Sequence, residues 1–180
     1  MNVAIFGGSF NPPHVSHVLA IAYVLSTADV ERVVVVPAHK HPFGKPLAPF
    51  DDRVRMCELA LAPFPSASVS RVEETLDGLT LHTLEALKRD HADWNLRLVV
   101  GADILLEADK WFRFDDVKKI APPIVLGRVG FSHPNAPPPI LPEISSTRVR
   151  ELARRAAWDE LAPFVPRAVL AHVREKKLYV

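Results

Sequence analysis

A single cysteine, Cys57, stands in the 180 residues, so no disulfide can form within the chain and no cysteine-based zinc site can be built. An excess of charge of one sign is also missing. The 22 Lys and Arg against 21 Asp and Glu leave a formal net charge of +1, which exerts no overall pull toward nucleic acid or an anionic membrane. Neither is expected as a partner, and any affinity for anions must be local. No apolar run is long enough to span a bilayer, and the opening Asn2-Val3-Ala4-Ile5-Phe6 shows no basic leader or small-residue cleavage site. A soluble, unprocessed, cytoplasmic chain is the expectation. No internal repeat or second composition regime is visible, so residues 1–180 read as one domain.

What is present is a regular alternation. Apolar runs of strand length recur at Val3 to Phe6, Arg32 to Val36, Ala67 to Arg71, Leu96 to Val100 and Pro123 to Leu126. Between them, helical spacing marks Ser16 to Ser26, Asp51 to Ala62, Thr80 to Asp90 and a more broken stretch from Asp103 to Lys119. Proline, 17 residues in all, clusters between Pro134 and Pro142, where it excludes a helix or a central strand and predicts an exposed connection. Two further helices, Ser146 to Ala156 and Pro166 to Lys176, follow it. Strand and helix in this order specify an α/β fold, a doubly wound parallel sheet with C-terminal helices, whose ligands bind beyond the carboxyl ends of the strands.

The loop after the first strand reads Gly7-Gly8-Ser9-Phe10-Asn11-Pro12-Pro13-His14-Val15-Ser16-His17. Two glycines permit close backbone approach to a ligand, and the following helix start offers unpaired N–H groups and a positive dipole end, a setting that favours phosphate. It is not a P-loop, because no Gly-Lys-Ser/Thr follows, and it lacks the Gly-x-Gly-x-x-Gly of dinucleotide-binding folds. A plain tight turn with incidental histidines accounts for the same residues. A metal site on His14 and His17 lacks a neighbouring carboxylate or cysteine.

The string Gly-Gly-Ser-Phe-Asn-Pro-Pro-His-x-x-His resembles the signature of the nucleotidylyltransferase superfamily, which implies a Rossmann-like nucleotidylyltransferase fold and an ATP site. The resemblance assigns Gly7, Gly8, Ser9 and Phe10 to ATP binding. It assigns His14 and His17 to the ATP phosphates, as donors to the charge that builds on the α-phosphate and leaving pyrophosphate. One departure is Ser16, where the superfamily usually has glycine; its side chain either crowds the nucleotide or points away.

Late in the chain, Ile144-Ser145-Ser146-Thr147-Arg148-Val149-Arg150 caps a new helix with hydroxyls. By itself this is equally an ordinary serine cap with arginines on a solvated face. It is similar to the second superfamily signature, Ile-Ser-Ser-Thr-x-Ile-Arg, which implies that Ser146, Thr147 and Arg150 bind the β- and γ-phosphates.

In the middle, Val99-Val100-Gly101-Ala102-Asp103 precedes Lys110-Trp111-Phe112. Taken bare, Asp103 is a helix cap and Trp111 a core aromatic. The pattern Gly-Ala-Asp, seven residues, then Trp resembles the bacterial nicotinate-nucleotide adenylyltransferases. In that family the aspartate contacts the ATP ribose and the tryptophan stacks on the pyridine ring. This implies roles for Gly101 and Asp103 with ATP and for Trp111 and Phe112 with the acceptor. Gly78-Leu79-Thr80-Leu81-His82-Thr83-Leu84 resembles the family's Ser-Tyr-Thr-x-x-Thr-Leu segment, so Thr80 and the amide of Leu81 inherit the pyridine carboxylate. Ile124-Val125-Leu126-Gly127-Arg128 resembles the strand whose arginine, here Arg128, flanks adenine. The segment Pro37-Ala38-His39-Lys40-His41-Pro42-Phe43-Gly44-Lys45 departs from the family's Pro-Pro-His-Lys, which leaves Lys40 or Lys45 to meet the acceptor phosphate and a mobile basic loop as the alternative.

The resemblance runs nearly end to end and implies an enzyme of NAD biosynthesis that joins ATP, carried with Mg2+, to nicotinate mononucleotide. Transfer to nicotinamide mononucleotide or phosphopantetheine on the same scaffold is the near rival, and a non-catalytic nucleotide-binding module the distant one.

Overall fold

The computed structural model describes residues 1–40, 44, 46–106, 111–127, 129 and 137–180, and the side chains of all of these but 105 and 106. Lys45 and Arg128, both expected to contact ligand, lie outside the described residues, as does the first part of the proline-rich connection. Five strands, β1 (Asn2–Gly8), β2 (Arg32–Pro37), β3 (Ala67–Val69), β4 (Asn95–Gly101) and β5 (Pro123–Leu126), form one sheet in the order β3-β2-β1-β4-β5. Every pairing is parallel; Ile5, for example, lies opposite Val34 on one side and Leu98 on the other. The helices are α1 (Val15–Thr27), α2 (Phe50–Leu61), α3 (Thr80–Asp90), α4 (Ala102–Leu106), α5 (Phe114–Ile120), α6 (Ser146–Arg154), α7 (Trp158–Leu161) and α8 (Arg167–Glu175).

Strand alternation divides the apolar residues between two faces. Val3, Ile5, Val34, Val36, Leu98 and Val100 point to the side packed by Leu81, Leu84 and Leu87 of α3 and Val117 of α5. Ala4, Val33, Val35 and Val99 point to the other side, against Ala20, Ile21 and Val24 of α1 and Cys57 and Leu61 of α2. A third cluster, with Met56 and Ala60 on the far side of α2, Val149 and Leu152 of α6 and Val169 and Val173 of α8, fastens the C-terminal helices to α2. The sheet is therefore doubly wound, as the alternation predicts, and the chain reverses direction across β1. The switch point lies between the carboxyl ends of β1 and β4, where such sheets take their ligands.

Some boundaries differ from the sequence expectation. The third strand stops at Val69 rather than Arg71, because Ser70 Oγ accepts the Val72 N–H at 3.3 Å and a 3-10 turn (Val72–Thr75) begins. The last long helix but one stops at Arg154 rather than Ala156, whose φ of 52° is left-handed. The short helix α7 and the 3-10 turn Ala162–Phe164 were not anticipated; their apolar residues are too few to carry a periodic signal. Residues 137–142 have no regular structure and are half-buried to exposed, in keeping with a connection.

Candidate active site

At the carboxyl end of β1 the chain passes through Gly7 and Gly8 into the loop that feeds α1. Phe10 has a left-handed φ of 44° and is buried, its ring edge-on to Phe6 at 5.5 Å and to His17 at 5.0 Å. It lines neither of the cavities described below; its packing orients the His17 ring. The His14 N–H donates to Nδ1 of His17 at 3.1 Å. A nitrogen that accepts carries no proton, so the ring proton of His17 sits on Nε2, making that atom a donor. The His14 ring, buried, lies 3.8 Å from the His17 ring at 31°.

The two histidines open on a cavity of about 630 Å³, whose walls also include Gly101, Asp103, Ser146 and Arg148. Gly101 leaves room for the Asp103 carboxylate: a Cβ there would meet Oδ1 of Asp103 and push that side chain aside. Ser145 caps α6 by accepting the Arg148 N–H at 3.2 Å, and the amides of Ser146 and Thr147 ahead of it have no intrahelical acceptor.

Three bonds sew the loop after β1 to the approach and start of α6. Ser146 Oγ donates to the Pro12 carbonyl at 2.9 Å, Ser16 Oγ to the Pro142 carbonyl at 2.8 Å, and Arg150 Nη1 to the Asn11 carbonyl at 2.8 Å. Ser16 is thus an anchor, its hydroxyl turned to the backbone that precedes α6. Arg150 also donates from Nη2 to Thr147 Oγ1 at 3.2 Å. Thr147 is exposed, and neither it nor Arg150 lines the cavity, whereas Arg148 does.

A second cavity, about 430 Å³, adjoins the first and shares Gly7, Val99, Ile104 and Trp111 with it. Gly8, Ser9, Glu73, Thr80 and Phe112 complete the part that matters for polar recognition. Its floor is the start of α3. Asp77 Oδ1 accepts the Leu79 N–H at 3.0 Å, and Gly78 takes φ 87°, a value that favours glycine, to turn the chain into the helix. The amides of Thr80 and Leu81 fall in the first turn and have no intrahelical acceptor. The Leu81 side chain is buried in the core, so its backbone alone is available. Trp111 leans edge-on against Phe114 at 5.5 Å, and Phe112 is exposed beside the His82 ring at 5.8 Å. Lys40 is exposed and lines neither cavity. Glu73 is 4% exposed; burial raises its carboxyl above the ordinary carboxylate value, more than its bond with Thr83 lowers it.

Arg53 was not anticipated. It is 1% exposed, and its guanidinium donates from Nε to the Ala48 carbonyl at 3.0 Å, from Nη1 to Ser9 at 3.0 Å and Ala38 at 2.6 Å, and from Nη2 to His39 at 3.2 Å. One side chain thereby joins the loop after β1, the loop after β2 and the entry to α2. Burial pulls the guanidinium down from its ordinary value, yet arginine stays charged. A signal was available: Arg53 stands in line with Met56, Cys57, Ala60 and Leu61, the apolar stripe of α2. Among the described residues no three His, Cys, Asp or Glu side chains group to hold a metal ion, and no helix is long and apolar enough to cross a membrane.

A five-stranded parallel sheet with two cavities at its switch point defines the class, an α/β protein that takes ligands beyond the carboxyl ends of its central strands. A family model described as cytidylyltransferase-like matches residues 5–152. A protein of Anaeromyxobacter sp. (strain K) named "probable nicotinate-nucleotide adenylyltransferase" is 46% identical over 183 residues, 98% of this chain and 96% of its own length. One of the same name from Myxococcus xanthus (strain DK1622) is 39% identical over 182 residues, 99% and 95% of the two chains. The chain belongs to the cytidylyltransferase-like family and, within it, to the nicotinate-nucleotide adenylyltransferases. The fold is shared with Plasmodium falciparum nicotinic acid mononucleotide adenylyltransferase complexed with NaAD, at a TM-score of 0.84 and 16% identity over 99% of this chain and 97% of that one.

Proposed function

We propose that this chain transfers the adenylyl group of Mg-ATP to nicotinate mononucleotide, releasing pyrophosphate and forming the deamido dinucleotide. The observation that carries this reading is the pair of cavities that meet at Gly7 and Trp111 beyond β1 and β4. One has imidazoles and a helix start suited to a triphosphate; the other has aromatic rings and a helix start suited to an anionic ring substituent.

A 5′-phosphate oxygen of the mononucleotide attacks the α-phosphorus of ATP in line. One P–O bond forms as the bond to pyrophosphate breaks. The attacking oxygen is already an anion, so no general base is required, and catalysis rests on positioning and charge neutralisation. In this reading His14 and the Nε2–H of His17 serve the reacting phosphates. Ser146 and Arg148, on the cavity wall, meet the far phosphates, while Thr147 and Arg150, which the resemblance also assigns there, stand behind the wall and brace the start of α6 against the Asn11 carbonyl; Gly101 and Asp103 hold the ribose. Trp111 and Phe112 flank the pyridine ring, whose carboxylate meets Thr80 and the Leu81 amide. The family resemblance assigns the acceptor phosphate to Lys40 or Lys45 and adenine to Arg128.

Pyrophosphate release from Mg-ATP, measured separately with nicotinate mononucleotide, nicotinamide mononucleotide and phosphopantetheine, tests the reading. Strong release with the first and little with the others is expected. Release with phosphopantetheine alone would overturn the acceptor, and silence with all three would favour a nucleotide-binding module without turnover.

A further inference from the structure

Glu73 is a buried acid in the wall of the second cavity that none of the proposed steps employs. It belongs to the 3-10 turn Val72–Thr75, ahead of α3. Its Oε1 shares a hydrogen bond with the Thr83 hydroxyl, and Thr83 Oγ1 also lies 3.2 Å from the Leu79 carbonyl oxygen. Its Oε2 is buried and makes no hydrogen bond; a Cβ on Gly78 would sit 3.9 Å from that atom. The acid thus lies directly behind the turn that carries Leu79, Thr80 and the free amides of α3.

We propose that Glu73 sets the choice between a carboxylate and a carboxamide on the pyridine ring. It retains its proton behind the start of α3, and only that uncharged form leaves the wall compatible with an anion. The inference rests on the reading that the second cavity receives the pyridine ring.

The hydrogen-bond order supports it. The Thr83 hydroxyl has one proton and two acceptors within reach, Glu73 Oε1 and the Leu79 carbonyl. With a proton on Glu73, the acid donates to Thr83 and Thr83 donates to Leu79, so both contacts are satisfied at once. With Glu73 ionised, Thr83 can serve one acceptor only, and the second carboxylate oxygen remains buried without a donor.

The charged surroundings agree. Among the described residues no lysine or arginine forms an ion pair with Glu73. The nearby titratable groups are Asp77, whose charge opposes ionisation, and His39, whose charge would favour it weakly. His82 on α3 is already engaged by Asp77 at 2.8 Å. Burial is the largest influence and favours the neutral acid. A ligand carboxylate arriving at the α3 amides would add a second negative charge nearby and hold that proton more firmly, as carboxylates sharing a site do. A carboxamide would exert no such effect.

The test compares kcat/KM for nicotinate mononucleotide and nicotinamide mononucleotide, from the ordinary carboxylate range upward over every pH at which the protein stays folded, in the wild type and in Glu73→Gln, an uncharged side chain of the same shape. The ratio of the two values cancels the titration of the 5′-phosphate common to both. In the wild type the preference for nicotinate is expected to fall on the order of tenfold as Glu73 ionises. In Glu73→Gln the ratio should be independent of pH. An equal pH slope in the two proteins would overturn the proposal, and so would a flat ratio in the wild type. Turnover of neither substrate would instead sink the reading of the cavity.

Calorimetry in two buffers of different ionisation enthalpy supplies a second measurement that needs no variant. More protons should be taken up with nicotinate mononucleotide than with nicotinamide mononucleotide; equal uptake would overturn the proposal. A carboxyl raised by folding binds more protons folded than unfolded, so stability falls as pH rises from the ordinary carboxylate value toward the raised one. Thermal melts of Glu73→Gln should lack that decline.

Discussion

The Tyr179 hydroxyl donates a 2.9 Å hydrogen bond to Oδ1 of Asn11, 168 residues earlier in the chain. The same Asn11 oxygen accepts the Ala48 N–H at 3.0 Å, and the Asn11 carbonyl accepts Arg150. Asn11, itself 4% exposed, is therefore the point where the loop after β1, the entry to α2, the start of α6 and the chain beyond α8 converge. None of these contacts touches a cavity, yet together they determine where the loop stands relative to α6.

Tyr179→Phe removes one of two donors to Asn11 Oδ1 and leaves the ring in place. A loss of about 1 kcal/mol is expected, which for a chain of this size lowers the melting temperature by roughly 2–4 °C. Thermal unfolding followed by circular dichroism measures it. An unchanged midpoint would mean that water replaces the hydroxyl without loss.

Arg53→Met should be the more damaging change, because four backbone carbonyls from three segments lose their donor at once. A destabilisation on the order of 3 kcal/mol or more is expected in urea unfolding. Arg53→Lys keeps the charge but not the fork, and should fall between the two. A lysine variant as stable as the wild type would show that charge alone matters there.

His17→Ala is expected to lower kcat on the order of a hundredfold to a thousandfold, the usual effect of losing one donor to a developing oxyanion. It also deprives the His14 N–H of its acceptor at the start of α1, at about 1 kcal/mol of stability. Turnover and unfolding measured on the same preparation separate the two effects. A near-normal rate would remove His17 from the proposed mechanism.

Ser16→Ala deletes the bond to the Pro142 carbonyl while leaving the helix backbone undisturbed. If the approach to α6 helps to hold ATP, a loss of about 1 kcal/mol in ATP binding raises its KM roughly fivefold, with the acceptor KM unaffected. Equal changes in both constants would point to a general loosening of the site.

Much of this molecule was legible before folding because its signals are local. Valine- and isoleucine-rich runs such as Arg32 to Val36 predict buried parallel strands from composition alone, and the strand-helix alternation leaves few topologies. The two glycine and hydroxyl-rich motifs identified both helix starts that open on the first cavity, and the Gly-Leu-Thr-Leu segment identified the third, on the second. Thr80 and Trp111 both reached the cavity walls.

What tertiary structure alone decided is the set of contacts made with backbone or with burial. The direction of the Ser16 hydroxyl depends on a carbonyl 126 positions away. Arg53 bonds to peptide oxygens, which every residue possesses and which no sequence motif records. Arg148 and Arg150 share one helix and read alike, yet only the former faces the cavity, because helix rotation against the Asn11 carbonyl selects between them. Glu73 and Glu74 are neighbours of identical chemistry; one is buried against Thr83 and the other pairs with Arg71 at the surface. Water is removed from the first and not from the second, and that difference in solvation arises only when α3 packs against the sheet.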